Sequence, residues 1–163
     1  MRGPTRTFEL LEVLCRHEVE FIVVGMTAAV LQGAPAHTFD LDVVYSRAEE
    51  NVTKILAALR EIDAFFRTDS RRIAPNESHL RSAGHKLFDT TLGHFDVLGT
   101  LDEGVGFEEI ENGSIWLEVG GLRVRVLGLA RLIEVKEKAG RAKDLAALPL
   151  LRATLARSRR DPS

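Results

Sequence analysis

The sequence predicts an α/β protein of the α+β type, with a mixed, twisted sheet and flanking helices. In the first half, helical spacings of apolar residues alternate with short β-branched runs. Further on, two apolar runs are separated only by Gly120-Gly121, and helical patterns fill the last part of the chain. A chain of 163 residues with 45% apolar content fits a single domain, residues 1–163, with a C-terminal helical segment at about 129–158.

The first predicted unit is helix, strand, glycine, helix. Apolar residues at helical spacing indicate a helix over Thr7–His17, and the run Phe21–Val24 is typical of a buried strand. Gly25 ends that run because glycine tolerates backbone angles that stop a strand. A short helix over 27–32 follows, and Gly33 closes it.

The second unit begins with a strand at 40–45. Ser46 is the expected N-cap of the next helix, over 47–61, with Glu49 completing a capping box. Between residues 67 and 81 the apolar pattern is lost in Asp, Ser, Arg, Pro and Asn, which predicts a loop at the rim of a cleft.

The rest of the chain is predicted to contain four strands and two helices. The two-residue link Gly120-Gly121 predicts a hairpin, and Gly140 is the expected C-cap between the helices. This order favours a mixed sheet with helices over a regular doubly wound fold. The predicted ranges are 86–91, 94–100, 114–119, 122–126, 129–139 and 141 to beyond 155.

Composition excludes several classes of protein. The single cysteine, Cys15, cannot form an internal disulfide or a multi-cysteine zinc site, and the histidines lack ligand spacing. No apolar run approaches the ~20 residues that span a bilayer, so we expect a cytoplasmic protein without a membrane partner. Net charge is −2, divided into +6 over residues 131–160 and −8 elsewhere. The basic end is either a wall that faces a polyanion or a solvated helix face.

The segment Asp40-Leu41-Asp42 is the most informative. On a strand, both carboxylates project from the same face with Cα atoms ~6.6–7 Å apart. A hard divalent cation would neutralise their repulsion, since Mg²⁺ binds one or two carboxylates and leaves positions for water and phosphates. The alternative is a strand whose outer face is solvated.

Two other segments favour the cation site. The strand before Gly25 leads into a helix start, where free N–H groups favour an anion. Asp96 lies in an apolar strand, where burial without a partner is unfavourable. If the strands of Asp40 and Asp96 are neighbours, three carboxylates converge as in a two-metal site.

Together these segments resemble the minimal nucleotidyltransferases of the DNA polymerase β-like superfamily, and more narrowly the AbiEii-type toxins and related prokaryotic proteins. The family pattern is an apolar strand, Gly followed by Gly or Ser, a spacer, Asp-apolar-Asp or Asp-apolar-Glu, and a later acid. Here Gly25 and Met26 hold the glycine positions, 27–39 form the spacer, and the acids are Asp40, Asp42 and Asp96. Gly33, Thr38 and the segments Leu132–Lys136 and Gly140–Leu145 extend it.

The resemblance implies the polymerase β-like fold and an enzyme that transfers a nucleotidyl group from an NTP, such as ATP, with release of pyrophosphate. The acceptor would be a hydroxyl of tRNA, of a protein or of a small molecule. Asp40, Asp42 and Asp96 would be catalytic and would hold Mg²⁺ or Mn²⁺. The residues implied to bind the nucleotide are Gly25, Met26, Thr27, Thr38 and Lys136.

Two positions depart from the family pattern. Met26 stands where relatives have glycine or serine, and Ala36 where relatives of this branch often carry arginine. Both changes remove a contact to phosphate or acceptor, and they favour the alternative of a catalytically weak or inactive nucleotide-binding or interaction module. That module could act with a partner protein of the toxin–antitoxin type. By contrast, Arg141, Lys143 and Asp144 are expected to form an ion-pair cluster at a helix start.

Overall fold

A computed structural model describes residues 5–101 and 104–160, so both ends of the predicted domain lie outside the described residues. One sheet of seven strands has the order β3-β4-β5-β2-β1-β7-β6. This confirms the mixed α+β architecture. The strands are β1 (Phe21–Val24), β2 (Leu41–Tyr45), β3 (Phe65–Phe66), β4 (His85–Thr90), β5 (Gly93–Leu98), β6 (Ser114–Val119) and β7 (Leu122–Leu127).

Helices flank the sheet, and none in the described ranges is both long and apolar enough to cross a membrane. A 3₁₀ turn at Glu111–Gly113 follows the fifth helix. The helices are α1 (Thr7–Arg16), α2 (Gly25–Leu31), α3 (Glu49–Glu61), α4 (Glu77–Arg81), α5 (Phe107–Ile110), α6 (Leu129–Ala139) and α7 (Ala142–Arg160).

Strand β2 is central because it joins the two halves of the sheet. It pairs antiparallel with β1 and parallel with β5. The register of the parallel pair sets Asp42 opposite Asp96. The expected neighbourhood of the two acidic strands is therefore present.

The core is built from the residues that alternate with these acids. Leu41, Val43, Phe95 and Val97 are fully buried, because successive side chains of a strand point to opposite faces. Helix α1 contacts β7 and α3, whereas α6 contacts α2 and α7. Asp42 and Asp96 therefore lie on the opposite face of the sheet, where Val44 is also buried.

The capping box predicted at Ser46 is wrong. Helix α3 begins at Glu49 after Ala48, without a side-chain cap. Ser46 Oγ accepts a hydrogen bond from Ala48 N at 3.3 Å. Asn51 ties the helix start instead, since its amide donates to the carbonyl oxygens of Glu20 and Ser46.

The segment predicted as a loop over 67–81 contains the short helix α4, and the two-residue strand β3 precedes it. In α4, the Asn76 side chain accepts from His79 N, and His79 Nδ1 accepts from Asn76 N, each at 3.0 Å. Leu80 is fully buried beneath this short helix. The sequence pattern missed it because five residues with one buried apolar side chain show no helical period.

Gly93 begins the strand that carries Asp96. Its φ is +104°, and a Cβ there would lie 2.7 Å from the Thr5 Cα. We expect Gly93→Ala to lower the free energy of unfolding by about 2–4 kcal/mol, since it adds a backbone clash to an unfavourable φ. Urea unfolding measures the loss.

The matched control is Gly121→Ala. Gly121 also has a positive φ, +86°, but nothing lies within 4 Å of its would-be Cβ. Its loss should be limited to about 1–2 kcal/mol of backbone strain. Equal losses in the two variants would contradict close packing of the chain start on Gly93.

Candidate active site

A cleft of about 250 Å³ lies between the sheet face that carries the acids and the helices α6 and α7. The sheet contributes Val24, Asp42, Asp96 and Leu127 to its wall, and the helices contribute a cluster of cationic side chains. Four of the residues predicted for the site line it: Gly25, Asp42, Asp96 and Lys136.

Asp42 and Asp96 are held side by side by the strand register. The interaction between the two carboxyl groups raises the pKa of Asp42. The second oxygen of Asp42, Oδ1, is buried and has no hydrogen-bond partner within residues 5–101 and 104–160. A buried acceptor oxygen without a partner is unfavourable, and a bound cation or a hydrogen-bond donor would satisfy it.

The pKa of Asp42 is raised to about 7, first by burial and then by its interaction with Asp96 and the charge of Asp40. The charge of Lys136 opposes this rise. The carboxyl of Asp42 is therefore close to half-protonated at neutral pH. Removal of the repulsion by a bound cation would favour its charged form.

Gly25 creates the space beside Asp42. Helix α2 begins at Gly25, two residues before the predicted start, with a φ of +69°. A Cβ at this position would lie 2.9 Å from Asp42 Oδ2. Only glycine combines this backbone angle with room for the carboxylate.

Asp40 contacts residues outside this pair. Its Oδ1 lies 3.5 Å from His94 Nδ1, and its backbone oxygen accepts a hydrogen bond from Thr27 Oγ1 at 3.0 Å. No group of three or more His, Cys, Asp or Glu side chains in the described part of the chain could hold a metal ion. The structure thus shows a carboxylate pair, Asp42 and Asp96, with Asp40 at its margin.

Arg67 provides the direct counter-charge to Asp96. Its Nη1 lies 2.7 Å from Asp96 Oδ1 and 2.9 Å from the carbonyl oxygen of Phe88. Both side chains are largely buried, with 21% and 14% exposed. No sequence pattern indicated this contact, because Arg67 lies at the start of a segment without periodicity.

Lys136 faces the cleft from α6 and is anchored by a buried acid. Its Nζ lies 3.3 Å from Asp144 Oδ1, and Arg141 Nε lies 2.6 Å from Asp144 Oδ2. The hydrogen bonds from Arg141 and then Lys136 lower the pKa of Asp144 to about 2. Two members of the expected ion-pair cluster at the start of α7, Arg141 and Asp144, are paired, and Asp144 also holds Lys136 at the cleft. Lys143, the third expected member, lines the cleft.

Three residues predicted to bind the nucleotide lie outside the cleft lining in the described ranges: Met26, Thr27 and Thr38. Met26 packs against the core. Thr27 is buried, and its hydroxyl donates a hydrogen bond to the backbone oxygen of Asp40. Thr38 is half-buried in the connection between α2 and β2. His85, at the start of β4, lines the cleft without having been predicted as a site residue.

The carboxylate pair fits a hard divalent cation. Asp42 has a free buried oxygen, Asp96 is its neighbour, and Gly25 leaves room at their side. Mg²⁺ is commonly bound through one or two carboxylates together with substrate phosphates. Two protein carboxylates and an open cleft meet that requirement.

Comparison with known proteins supports the fold. The chain resembles a crystal structure from Thermotoga maritima described as a "putative nucleotidyltransferase", with a TM-score of 0.56 and 18% identity over 88% of both chains. No known protein family matches the chain, and no curated protein matches it. At this identity the likeness establishes a nucleotidyltransferase-like fold.

Asp42 makes the stability of the metal-free protein depend on pH. The pKa is 3.8 in ordinary surroundings and about 7 in the folded protein, so the folded state binds more protons between these values. Stability should therefore fall as pH rises from about 4 to about 7. Asp42→Asn removes this fall and should be more stable than the wild type at pH 8 by on the order of 1–3 kcal/mol.

Urea unfolding in EDTA at pH 5 and pH 8 measures this difference. Asp69→Asn is the control, because Asp69 is an acid at the surface paired with Arg71. A wild type and an Asp42→Asn variant with the same pH dependence would contradict the raised pKa.

Asp144 is expected to stabilise the start of α7. Asp144→Asn leaves Lys136 and Arg141 without their buried counter-charge, which should lower the free energy of unfolding by about 2 kcal/mol or more at pH 7. Because the folded pKa is lowered from 3.8 to about 2, this contribution is lost as pH falls through that range. Unfolding at pH 7 and pH 3 tests both statements; a loss that is as large at pH 3 would contradict the ion pair.

Proposed function

We propose that the protein transfers a nucleotidyl group from an NTP to a hydroxyl acceptor and releases pyrophosphate, with Mg²⁺ or Mn²⁺ bound by Asp42 and Asp96. The observation that carries this proposal is the buried, unpartnered oxygen of Asp42 beside Asp96. Asp42 and Asp96 line a cleft whose other wall carries Lys136. The nucleotidyltransferase-like fold supports the same reaction class.

The charges of the cleft are arranged as this reaction requires. Lys136, Arg141 and Lys143 line the side opposite the carboxylates. Cationic side chains on one wall and a carboxylate pair on the other suit a triphosphate bound together with a cation. We assign the phosphate contacts to these side chains because they line the cleft, whereas Met26 and Thr27 at the start of α2 do not.

In the proposed reaction the acceptor oxygen attacks the α-phosphorus, and the bond from that phosphorus to the β-phosphate oxygen breaks. The proton of the acceptor hydroxyl passes to a carboxylate. We assign this role to Asp96, which lies beside Asp42. A divalent cation supplies charge neutralisation on the phosphates when bound. Lys136 neutralises further phosphate charge, and Asp144 fixes its direction.

We further infer that the resemblance to AbiEii-type proteins reflects a shared arrangement of the C-terminal helices. The two segments that carry it, Leu132–Lys136 and Gly140–Leu145, meet at the cleft through Lys136 and Asp144. On this proposal ATP is the first nucleotide to test. The acceptor screen covers tRNA, proteins and small-molecule hydroxyls, and a toxin–antitoxin partner is sought by co-purification.

A second candidate function is nucleotide binding without transfer. Asp40 contacts His94, and Asp96 forms an ion pair with Arg67. Two of the three predicted acids therefore already have partners. Met26 packs against the core. This arrangement favours a module that binds a nucleotide and signals to a partner.

Calorimetric titration with each of the four NTPs, with and without Mg²⁺, tests the binding site. We expect magnesium-dependent binding by the wild type and a loss of at least about tenfold in affinity for Asp42→Asn, since one carboxylate ligand is removed. Asp69→Asn, with its acid at the surface, should bind as the wild type does.

Pyrophosphate release in the presence of acceptors separates the two functions. Release that Asp42→Asn abolishes supports transfer, whereas binding without release supports the second candidate. Binding of no NTP by a folded wild type would contradict both.

A further inference from the structure

Arg67 is held in place from two neighbouring strands. Its backbone N–H continues the ladder beyond β3 by donating to Leu87 O at 3.0 Å. Its Nη1 donates to Phe88 O at 2.9 Å and to Asp96 Oδ1 at 2.7 Å. With 21% of its side chain exposed, Arg67 is a fixed part of the site and differs from a solvated surface arginine.

The carboxylate pair depends on this cation. Among the described residues, Arg67 is the only basic side chain in an ion pair with Asp42 or Asp96. Lys136 acts on Asp42 through its charge, but its ammonium group contacts Asp144. Arg67 therefore provides the direct positive charge in a site where Asp96 and Asp42 repel one another.

We propose that Arg67 is the resident counter-cation of this site and takes the place on Asp96 that a second divalent ion would need, so that the site binds a single divalent ion. This inference rests on the proposed cation site at Asp42 and Asp96. Two-metal sites place their ions ~3.5–4 Å apart on shared carboxylates. Arg67 occupies Asp96 Oδ1, which leaves the free oxygen of Asp42 and the other oxygen of Asp96 for one ion.

The chemistry of arginine makes this occupation permanent at physiological pH. A guanidinium group cannot be deprotonated in a protein, and it binds carboxylates with fixed geometry. A second ion at Asp96 would have to displace it or accept its repulsion. Removal of the charge at position 67 should therefore strengthen cation binding.

Titration with Mn²⁺ alone, followed by electron paramagnetic resonance of the free ion, measures both stoichiometry and affinity. The wild type should bind one ion. Arg67→Gln should bind a second ion, or one ion on the order of tenfold more tightly, since a nearby positive charge is lost. Two ions on the wild type, or unchanged or weaker binding by Arg67→Gln, would overturn the inference.

Two variants serve as controls. Arg71→Gln removes an exposed arginine that is paired with Asp69, and it should bind Mn²⁺ as the wild type does. Arg67→Lys keeps the charge and should retain a single ion. It also serves if Arg67→Gln does not fold: a second ion on Arg67→Lys would overturn the inference.

A measurement without metal separates this inference from the proposed function. In EDTA, Arg67→Gln should lower the melting temperature, and the loss should shrink in the Asp96→Asn background because the two residues are coupled. Equal losses in both backgrounds would overturn the counter-cation role. Normal coupling without any Mn²⁺ binding would contradict the proposed function, and with it the single-ion site.

Discussion

The contact between Asp42 and Asp96 is the constraint on which the rest of the site depends. Parallel pairing of β2 with β5 forces these two carboxylates into one row of the sheet. Burial and mutual repulsion raise the pKa of Asp42 to about 7, so the charged pair destabilises the fold at neutral pH. The strands stay together because the residues that flank the two acids along β2 and β5 are buried. A bound cation would remove the repulsion and so stabilise the fold.

The surrounding residues manage this charge from three directions. Gly25 leaves space where any side chain would meet Asp42. Arg67 forms an ion pair with Asp96. Lys136 extends from α6 and is held in position by its ion pair with Asp144. Cations fixed around a carboxylate pair prepare the cleft for a ligand that brings both a divalent ion and negative phosphates.

The sequence predicted the strands of the site well because their patterns are local. Strand alternation placed Asp42 on the face opposite Leu41 and Val43, Gly25 marked the end of β1, and Gly140 marked the end of α6. Ser46 is not the cap because the helix begins three residues further on, at Glu49, and the Ser46 hydroxyl accepts from Ala48 N instead. Arg67 could not be predicted, since its contact with Asp96 joins residues far apart in sequence and no periodic pattern records such a pairing.

A crystal grown with MnCl₂ and a non-hydrolysable NTP analogue offers the most direct test of the central claim. The account predicts one anomalous peak between Asp42 and Asp96, about 2.1 Å from an oxygen of each and in contact with phosphate oxygens. A well-ordered nucleotide whose metal ion lies away from both carboxylates would contradict it.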